Sequence, residues 1–197
     1  FALRDFTPFQ LGAARYVCAA LPLVLLVKMP RVHWKWVLLY GLCQGVGQFG
    51  FLFTALQVGM TAALASVLMQ TQVFFTALFA FAALGERLSR PQMAGLVLAV
   101  FGLACFATNV IAAHAGNSAA VTLFGLVLTL CAAASWALSN IVARKAQQTA
   151  PHYDPLAFIV WSSLVPIIPF VLMTSSLDPA ATRWRWADAG LVSWLAI

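Results

Sequence analysis

Two long runs without any charged residue constrain this chain more than any other feature. Fifty residues separate Lys35 from Glu86, and 53 separate Arg90 from Arg144, with no Lys, Arg, Asp or Glu inside either run. A membrane span needs about 20 apolar residues, so each run is long enough for two spans joined by a turn. Turn-forming sequences lie at 57–59 (Gln-Val-Gly) and at 114–118 (His-Ala-Gly-Asn-Ser). We therefore expect two pairs of spans in these runs.

The composition excludes a domain that folds in water. Hydrophobic residues make up 63% of the chain and charged residues 8%, against roughly 45–50% and about 25% in soluble domains. The net charge of +6 lies in loops beside apolar segments, so it indicates membrane orientation and not binding to nucleic acid. The cysteines show no paired spacing and are interpreted as small apolar packing residues; they are Cys18, Cys43, Cys105 and Cys131.

The apolar segments predict helices, because they are continuous and lack the alternating pattern of a membrane β-strand. We therefore expect an all-α integral membrane protein. The predicted spans are 8–27, 36–57, 60–84, 93–113, 121–142 and 155–174, with a seventh that begins near Ala189. The chain ends within an apolar run, so it is interpreted as a fragment.

The basic residues predict the orientation of these spans. Three alternate loops carry seven of them: Lys28, Arg31, Lys35, Arg87, Arg90, Arg144 and Lys145. The loops between them carry none, and only the loop after the sixth span departs from the pattern, with Arg183 and Arg185 partly offset by Asp178 and Asp188. The basic side is expected to be cytoplasmic, which places Phe1 outside. Because no signal peptide is recognisable at Phe1, we expect that one earlier span is missing.

The first and sixth spans are similar in sequence. A shift of 147 residues pairs Pro8 with Pro155 and Pro22 with Pro169, and also matches the Val-Leu pairs at 24–25 and 171–172. The two spans are five apart, so copies of one unit would face opposite ways in the membrane. This predicts an inverted repeat of five plus five helices, with one repeat in 1–113 and the start of the second in 121–197. Chance similarity between two proline-containing spans is the alternative.

Polar residues at bilayer depth are functional candidates by default, with a packing role as the alternative. Arg15, the only charge well inside a span, is a candidate partner for an anionic group, unless it extends towards the interface. Gln44 and Gln48 share a face of the second span, beside Gly41 and Gly45. They either line a cavity or bond a neighbouring helix in close packing.

The later spans carry further candidates. On a continuous helix Gln70 and Gln72 lie about 200° apart, so one is expected to contact the pathway and the other to cross-link helices. Periodicity does not say which. Trp136 and Asn140 share a face, where Trp136 is interpreted as a cavity-lining or interfacial residue. Trp161 lies too deep for an interfacial belt, and it either stacks on a ligand or fills the core.

Catalytic and metal-binding signatures are absent from the sequence. No Asp, Glu or His lies inside a predicted span, so proton coupling through a buried carboxylate is not predicted. There is no HExxH, GxSxG or Gly-rich phosphate loop. We expect a protein that is not an enzyme and binds no cofactor or metal.

Residues 59–89, GMTAALASVLMQTQVFFTALFAFAALGERLS, followed by PQMAGLVLAVFGLACF, resemble the fourth and fifth helices of EamA-type carriers of the drug/metabolite transporter superfamily. The elements Ala-Ser, Gln-x-Gln, Phe-Phe-Thr-Ala and Gly-Glu-Arg-Leu occur in the family's order. Two later segments are similar to the start of the second repeat in the O-acetylserine/cysteine exporter subgroup: LTLCAAASWALSNIVARK and DPLAFIVWSSLVPIIPF. Arg15, within FQLGAARYVCAALPLVLLV, matches the arginine of the family's second helix.

The resemblance implies that the seven spans are helices two to eight of a ten-helix alternating-access carrier. It implies a multi-pass protein of the bacterial inner membrane that exports amino acids or derivatives such as cysteine or O-acetylserine. The expected partners are a small-molecule substrate and the lipid bilayer. A carrier of drugs or other metabolites and a non-transporting scaffold remain alternatives. The sequence does not indicate an oligomeric state.

Overall fold

All regular structure in the described part of the chain is helical. The computed structural model describes residues 7–114, 123–150 and 152–177. Its elements are α1 (Pro8–Leu26), α2 (Trp34–Gly41), a π-helical segment (Leu42–Phe49), α3 (Gly50–Gln57), α4 (Ala62–Met69), α5 (Gln72–Leu84), α6 (Arg90–His114), α7 (Leu123–Thr149), α8 (Pro155–Ser162) and α9 (Ile167–Leu177). The all-α membrane class is confirmed.

Five helical stretches are long and apolar enough to cross a membrane: Pro8–Leu26, Trp34–Gln57, Ala62–Leu84, Leu123–Thr149 and Pro155–Ser176. They correspond to five of the predicted spans, and α6, at 25 residues, corresponds to the remaining one. The predicted seventh span near Ala189 and the turn residues 115–118 lie outside the described residues.

Local chemistry explains where these spans begin and turn. The first and sixth spans each begin with an N-capping residue followed by proline. The Thr7 side chain accepts a hydrogen bond from the Gln10 backbone amide. The Asp154 side chain accepts from two backbone amides in the first turn of α8. Gly59 and Gly85 have positive φ angles of 99° and 67°, and residues other than glycine rarely adopt such backbone angles. The predicted turn at 57–59 is confirmed.

The second span is not the continuous α-helix that the sequence predicts. Its central part, Leu42–Phe49, is π-helical, with α-helix on both sides. Four glycines lie in or beside this segment, and glycine makes departures from α geometry less costly because it has no Cβ atom; they are Gly41, Gly45, Gly47 and Gly50. Such π-helical insertions are frequent at functional sites.

The third and sixth spans are also broken at their middle. Between α4 and α5 the amides of Gln70 and Thr71 bond carbonyls three residues back, and the Thr71 hydroxyl donates to the Leu68 carbonyl at 2.6 Å, which competes with the α-helical pattern. Between α8 and α9, Pro166 supplies no amide hydrogen and its neighbours again bond three residues back. The prediction of continuous helices over 60–84 and 155–174 was wrong at these points.

Helix α7 is longer than predicted. It runs to Thr149 instead of ending near residue 142, so Arg144 and Lys145 lie on the helix and not in a loop. Residues 144–148 are good helix formers, and Ala146 is fully buried with Val37 and Phe158. Packing and propensity together extend the helix beyond its apolar part.

Helix α7 is the centre of the bundle. It contacts α2, the π-helical segment, α3, α4 and α5, whereas α1 packs against α8 and α9. Two clusters close the ends of the bundle. Phe9, Phe53 and Phe170 meet at the end where α1 begins, and Val37 and Phe158 meet at the basic end.

The end of α2 and the π-helical segment closely approach the break between α8 and α9. A Cβ atom built on Gly45 would lie 2.4 Å from Cβ of Pro166, and one on Gly41 would lie 2.5 Å from Cβ of Val165. Small residues allow such contact between membrane helices, where no hydrophobic effect drives association. Gly41 and Gly45 therefore pack closely against a neighbouring span, which the sequence left as one of two alternatives.

We expect Gly45→Ala to destabilise the protein by about 1–3 kcal/mol, because the added methyl group overpacks the contact with Pro166. This change lowers the midpoint of thermal unfolding of the purified intact protein in detergent. The matched control is Gly95→Ala on α6, where an added Cβ meets nothing within 4 Å and alanine is the better helix former. Equal midpoints for the two variants would contradict the close contact.

Candidate functional site

The polar residues of the bundle meet on one face of α7. Ser135, Trp136, Ser139 and Asn140 lie there within about four residues of the midpoint of Leu123–Thr149, which is roughly 6 Å along a helix. The π-helical segment approaches this face from one side and α5 from the other. The face is therefore a meeting point of three spans near the middle of α7.

Gln44 reaches α7 from the π-helical segment. The Ser139 hydroxyl is buried, and it lies 2.6 Å from Oε1 of Gln44 and 2.7 Å from the Trp136 carbonyl oxygen. One hydroxyl carries one hydrogen, so it donates to one of these acceptors at a time. If the Gln44 amide is turned by 180°, its NH₂ group donates to the Ser139 hydroxyl, and this hydroxyl donates its own hydrogen to the Trp136 carbonyl. The amide oxygen of Gln44 is then free to accept a hydrogen bond.

Gln72 reaches the same face from α5, immediately after the break in its span. Oε1 of Gln72 lies 3.4 Å from Oγ1 of Thr76 and 3.4 Å from Nδ2 of Asn140. Asn140 and Thr76 are 3.5 Å apart. These distances are at the long limit of hydrogen bonding, so the three groups are held loosely. Within the described part of the chain, the Gln72 amide nitrogen and the Asn140 amide oxygen have no hydrogen-bond partner.

A small cavity lies where the π-helical segment meets α1 and the break between α8 and α9. Tyr16, Tyr40, Gln44 and Ser162 line it, and its volume is about 10 Å³, room for about one water molecule. Ser162 is 1% exposed and its hydroxyl has no partner among the described residues. A buried hydroxyl without a partner costs about 1–3 kcal/mol, which favours a water or ligand group in this cavity.

Gln48 and Gln70 differ in their surroundings. Gln48 is 5% exposed, and its Oε1 has no partner within the described residues. Gln70 lies exposed in the break between α4 and α5. Of the pair Gln70 and Gln72, the second therefore faces the interior.

The remaining sequence candidates lie away from the loose amide group of Gln72, Thr76 and Asn140. The guanidinium of Arg15 is exposed on α1, 5.1 Å from the centroid of the Phe49 ring, in a cation–π contact. Trp161 donates from Nε1 to the Val27 carbonyl at 3.2 Å and packs against Val37 and Phe158. Its indole closes the basic end of the bundle.

Trp136 is half-buried and packs against Met69, Ala132 and Ala133. Sequence reasoning did not single out Tyr16 and Tyr40. Their signal was present, because Tyr16 is an aromatic residue near the middle of the first span, and Tyr40 lies four residues before Gln44. Within the described ranges no three His, Cys, Asp or Glu residues come together, and we assign no metal site.

Comparison with known proteins places these observations in a family context. Residues 1–108 match the EamA-like transporter family. The chain is 38% identical over 180 residues to a probable amino-acid metabolite efflux pump of Escherichia coli (strain K12), covering 91% of this chain and 58% of that protein. It is also 38% identical over 178 residues to a protein of the same description in Salmonella typhimurium (strain LT2), covering 90% and 58%.

A more distant relative is an uncharacterized transporter of Bacillus subtilis (strain 168), 24% identical over 192 residues, covering 93% of this chain and 62% of the relative. The chain thus spans about three fifths of the length of these curated relatives. No solved structure matches it.

We expect Trp161→Phe to lower the stability of the protein by about 1 kcal/mol, because phenylalanine keeps an aromatic ring in the cluster but cannot donate to the Val27 carbonyl. For a chain of this size that corresponds to a decrease of about 2–4 °C in the unfolding midpoint. The control is Trp34→Phe, since Trp34 is exposed. The assignment is wrong if both variants unfold at the wild-type temperature.

Proposed function

Because this chain belongs to the EamA-like transporter family, we propose that the intact protein exports small polar metabolites across the bacterial inner membrane. The chain is a multi-pass protein of that membrane. The proposed substrates are amino acids or derivatives such as cysteine and O-acetylserine. The names of the Escherichia coli and Salmonella typhimurium relatives, both probable amino-acid metabolite efflux pumps, support this substrate class.

The observation that carries the proposal is the loose amide group of Gln72, Thr76 and Asn140, near the middle of the span Ala62–Leu84. These half-buried side chains contact one another at 3.4–3.5 Å, at the long limit of hydrogen bonding. A ligand that offers better partners replaces such contacts at little cost. The group therefore suits a polar ligand that enters the middle of the bundle.

The chemistry of this group suits a zwitterion. The oxygen of a side-chain amide accepts from an ammonium group, and its nitrogen donates to a carboxylate. We propose that Gln72, Asn140 and Gln44 contact the substrate and that Gln48 is within reach of the same path. Arg15, the only charge well inside a span, is the proposed partner of the carboxylate when the site opens towards α1. Trp136 forms a wall of the site.

The proposed mechanism is rocking of one repeat against the other. The repeats are those expected from the sequence, 1–113 and 121–197, and the similar spans of the two, α1 and α8–α9, pack against each other. The contact of Gly41 and Gly45 with Val165 and Pro166 lies between the repeats, and we propose that it is the pivot.

A carrier of drugs or other metabolites would use the same fold and differ only in substrate. A non-transporting scaffold is favoured by one observation, the bonding of polar groups on the π-helical segment, α5 and α7 to one another. A scaffold function predicts that water does not reach these polar groups. The two experiments below separate these functions.

We expect Gln72→Leu to reduce export to the background of cells that carry an empty vector, because leucine keeps the approximate size but removes every hydrogen-bonding atom. The measurement follows extracellular cysteine and O-acetylserine over time in bacteria that express the intact reading frame, with membrane abundance checked by immunoblot. Gln70→Leu is the matched control, since the same change falls two residues away on an exposed position and should leave export unchanged.

Undiminished export by Gln72→Leu removes this residue from the site. No export by the well-expressed wild type contradicts the proposed substrates and leads to a broader metabolite screen.

Water access provides a separate prediction. After replacement of the native cysteines, we expect Gln44→Cys and Gln72→Cys in the intact protein to react with a membrane-impermeant thiol reagent, because both line the proposed path. Ala132→Cys on α7 is the control, since Ala132 is fully buried and should stay unlabelled. If Gln44→Cys and Gln72→Cys are as unreactive as the control, the scaffold is the correct function.

A further inference from the structure

A second cavity lies at the basic end of the bundle, between α5, α6 and the end of α7. Its volume is about 500 Å³, and it is open on one side. Val73, Ala77, Ala80 and Leu96 form its apolar wall, and Arg87 and Arg144 lie at its mouth. We call this cavity the basic groove.

The basic groove has the depth of one membrane leaflet. Its lining on α5 runs from Val73 to Ala80 and continues at Glu86 and Arg87, directly after the helix end at Leu84. The eleven residues from Val73 to Leu84 rise about 16 Å in an α-helix. Half of the hydrocarbon core of a bilayer is about 15 Å thick. The groove therefore extends from the basic end to about the middle of the membrane, beside the acyl chains of a single leaflet.

The groove is separate from the proposed transport site. Successive residues on a helix point about 100° apart, so Gln72 and Thr76 contact α7 while Val73 and Ala77 face the groove. The wall of the groove offers no polar group to a zwitterion. It suits a long apolar chain instead.

The mouth of the groove is positively charged. Arg144 pairs with Glu86, whereas Arg87 has no ion-pair partner in the described part of the chain. Arg87, Arg144 and Glu86 carry a net charge of +1. Gln92 also lines the groove. Its amide oxygen accepts hydrogen bonds from Ser89, so the NH₂ group of Gln92 is available to donate. Basic pockets between membrane helices at the cytoplasmic side recognise anionic lipid headgroups.

Helix α6 is the element that such a lipid would hold. Residues 90–105, the part of α6 whose side chains the structure describes, are almost entirely exposed. A chain lying between α5 and α6 would bridge the two helices.

We propose that the basic groove binds one anionic phospholipid, with its phosphodiester group at Arg87 and Arg144 and an acyl chain along Val73, Ala77 and Leu96. This site does not depend on the transport proposal, and its occupant stabilises the docking of α6.

The test uses the intact protein purified in an uncharged detergent, with its unfolding midpoint followed during titration with phosphatidylglycerol or with phosphatidylcholine of the same acyl chains. We expect phosphatidylglycerol to raise the midpoint at lower concentration than phosphatidylcholine. Arg87→Gln should increase the phosphatidylglycerol concentration for half of the effect about fivefold, the contribution of one basic residue near an anionic surface. Equal responses to the two lipids in the wild type overturn the proposal.

Two control variants separate the site from general electrostatics. Arg31→Gln removes the same charge from the basic end outside the groove, and it should leave the lipid preference unchanged. Glu86→Gln breaks the ion pair with Arg144 but keeps both arginines, so it should preserve or strengthen the preference, whereas Arg144→Gln should weaken it. If Arg31→Gln weakens binding as much as Arg87→Gln, or Glu86→Gln as much as Arg144→Gln, the proposal is wrong.

Inorganic phosphate distinguishes a headgroup from a free anion. We expect it to leave the midpoint unchanged, because it offers nothing to the apolar wall. A shift equal to that with phosphatidylglycerol would show a simple anion site and overturn the assignment to a lipid.

Discussion

The contact between the glycines of the second span and the broken sixth span organises the bundle. Within the bilayer, apolar surface gains nothing from leaving water, so close van der Waals packing and hydrogen bonds hold helices together. Gly41 and Gly45 let the backbone of the π-helical segment approach Val165 and Pro166 to distances at which a Cβ atom would clash. This contact joins α2 and the π-helical segment to the break between α8 and α9, and the π-helical segment carries Gln44 to its contact with Ser139 on α7.

Departures from α-helical geometry coincide with the polar residues. The π-helical segment contains Gln44 and Gln48, the break at residues 70–71 directly precedes Gln72, and the break after Ser162 borders the small cavity. Irregular backbone is tolerated at membrane depth only where protein or a water-filled cavity satisfies it. Broken helices also form the substrate sites of many transporters. The coincidence of the irregular segments with the amides therefore supports the proposed path through the middle of the bundle.

Hydropathy and charge predicted the spans closely but missed their irregular segments. The ends of the first span differ by at most one residue from the prediction, because Thr7 and Pro8 mark its start and Lys28 ends its apolar run. Hydropathy averages composition and contains no information about which carbonyl each amide bonds. The π-helical segment, the break at residues 70–71 and the extension of α7 to Thr149 were missed for that reason. The break at Pro166 was missed as well, although proline inside a span removes a donor.

The sequence alone determined the membrane class, the order of the spans, the family and the set of polar residues at mid-depth. These depend on composition and spacing, which the bilayer constrains strongly through its thickness and low polarity. Only the tertiary structure decided that Gln72 faces α7 while Gln70 is exposed, and that Trp161 bonds the end of α1. It also brought Tyr16 and Tyr40 to one cavity with Ser162. Helical periodicity fixes the angle between residues on one helix, but the neighbour that each face meets depends on how all the helices pack.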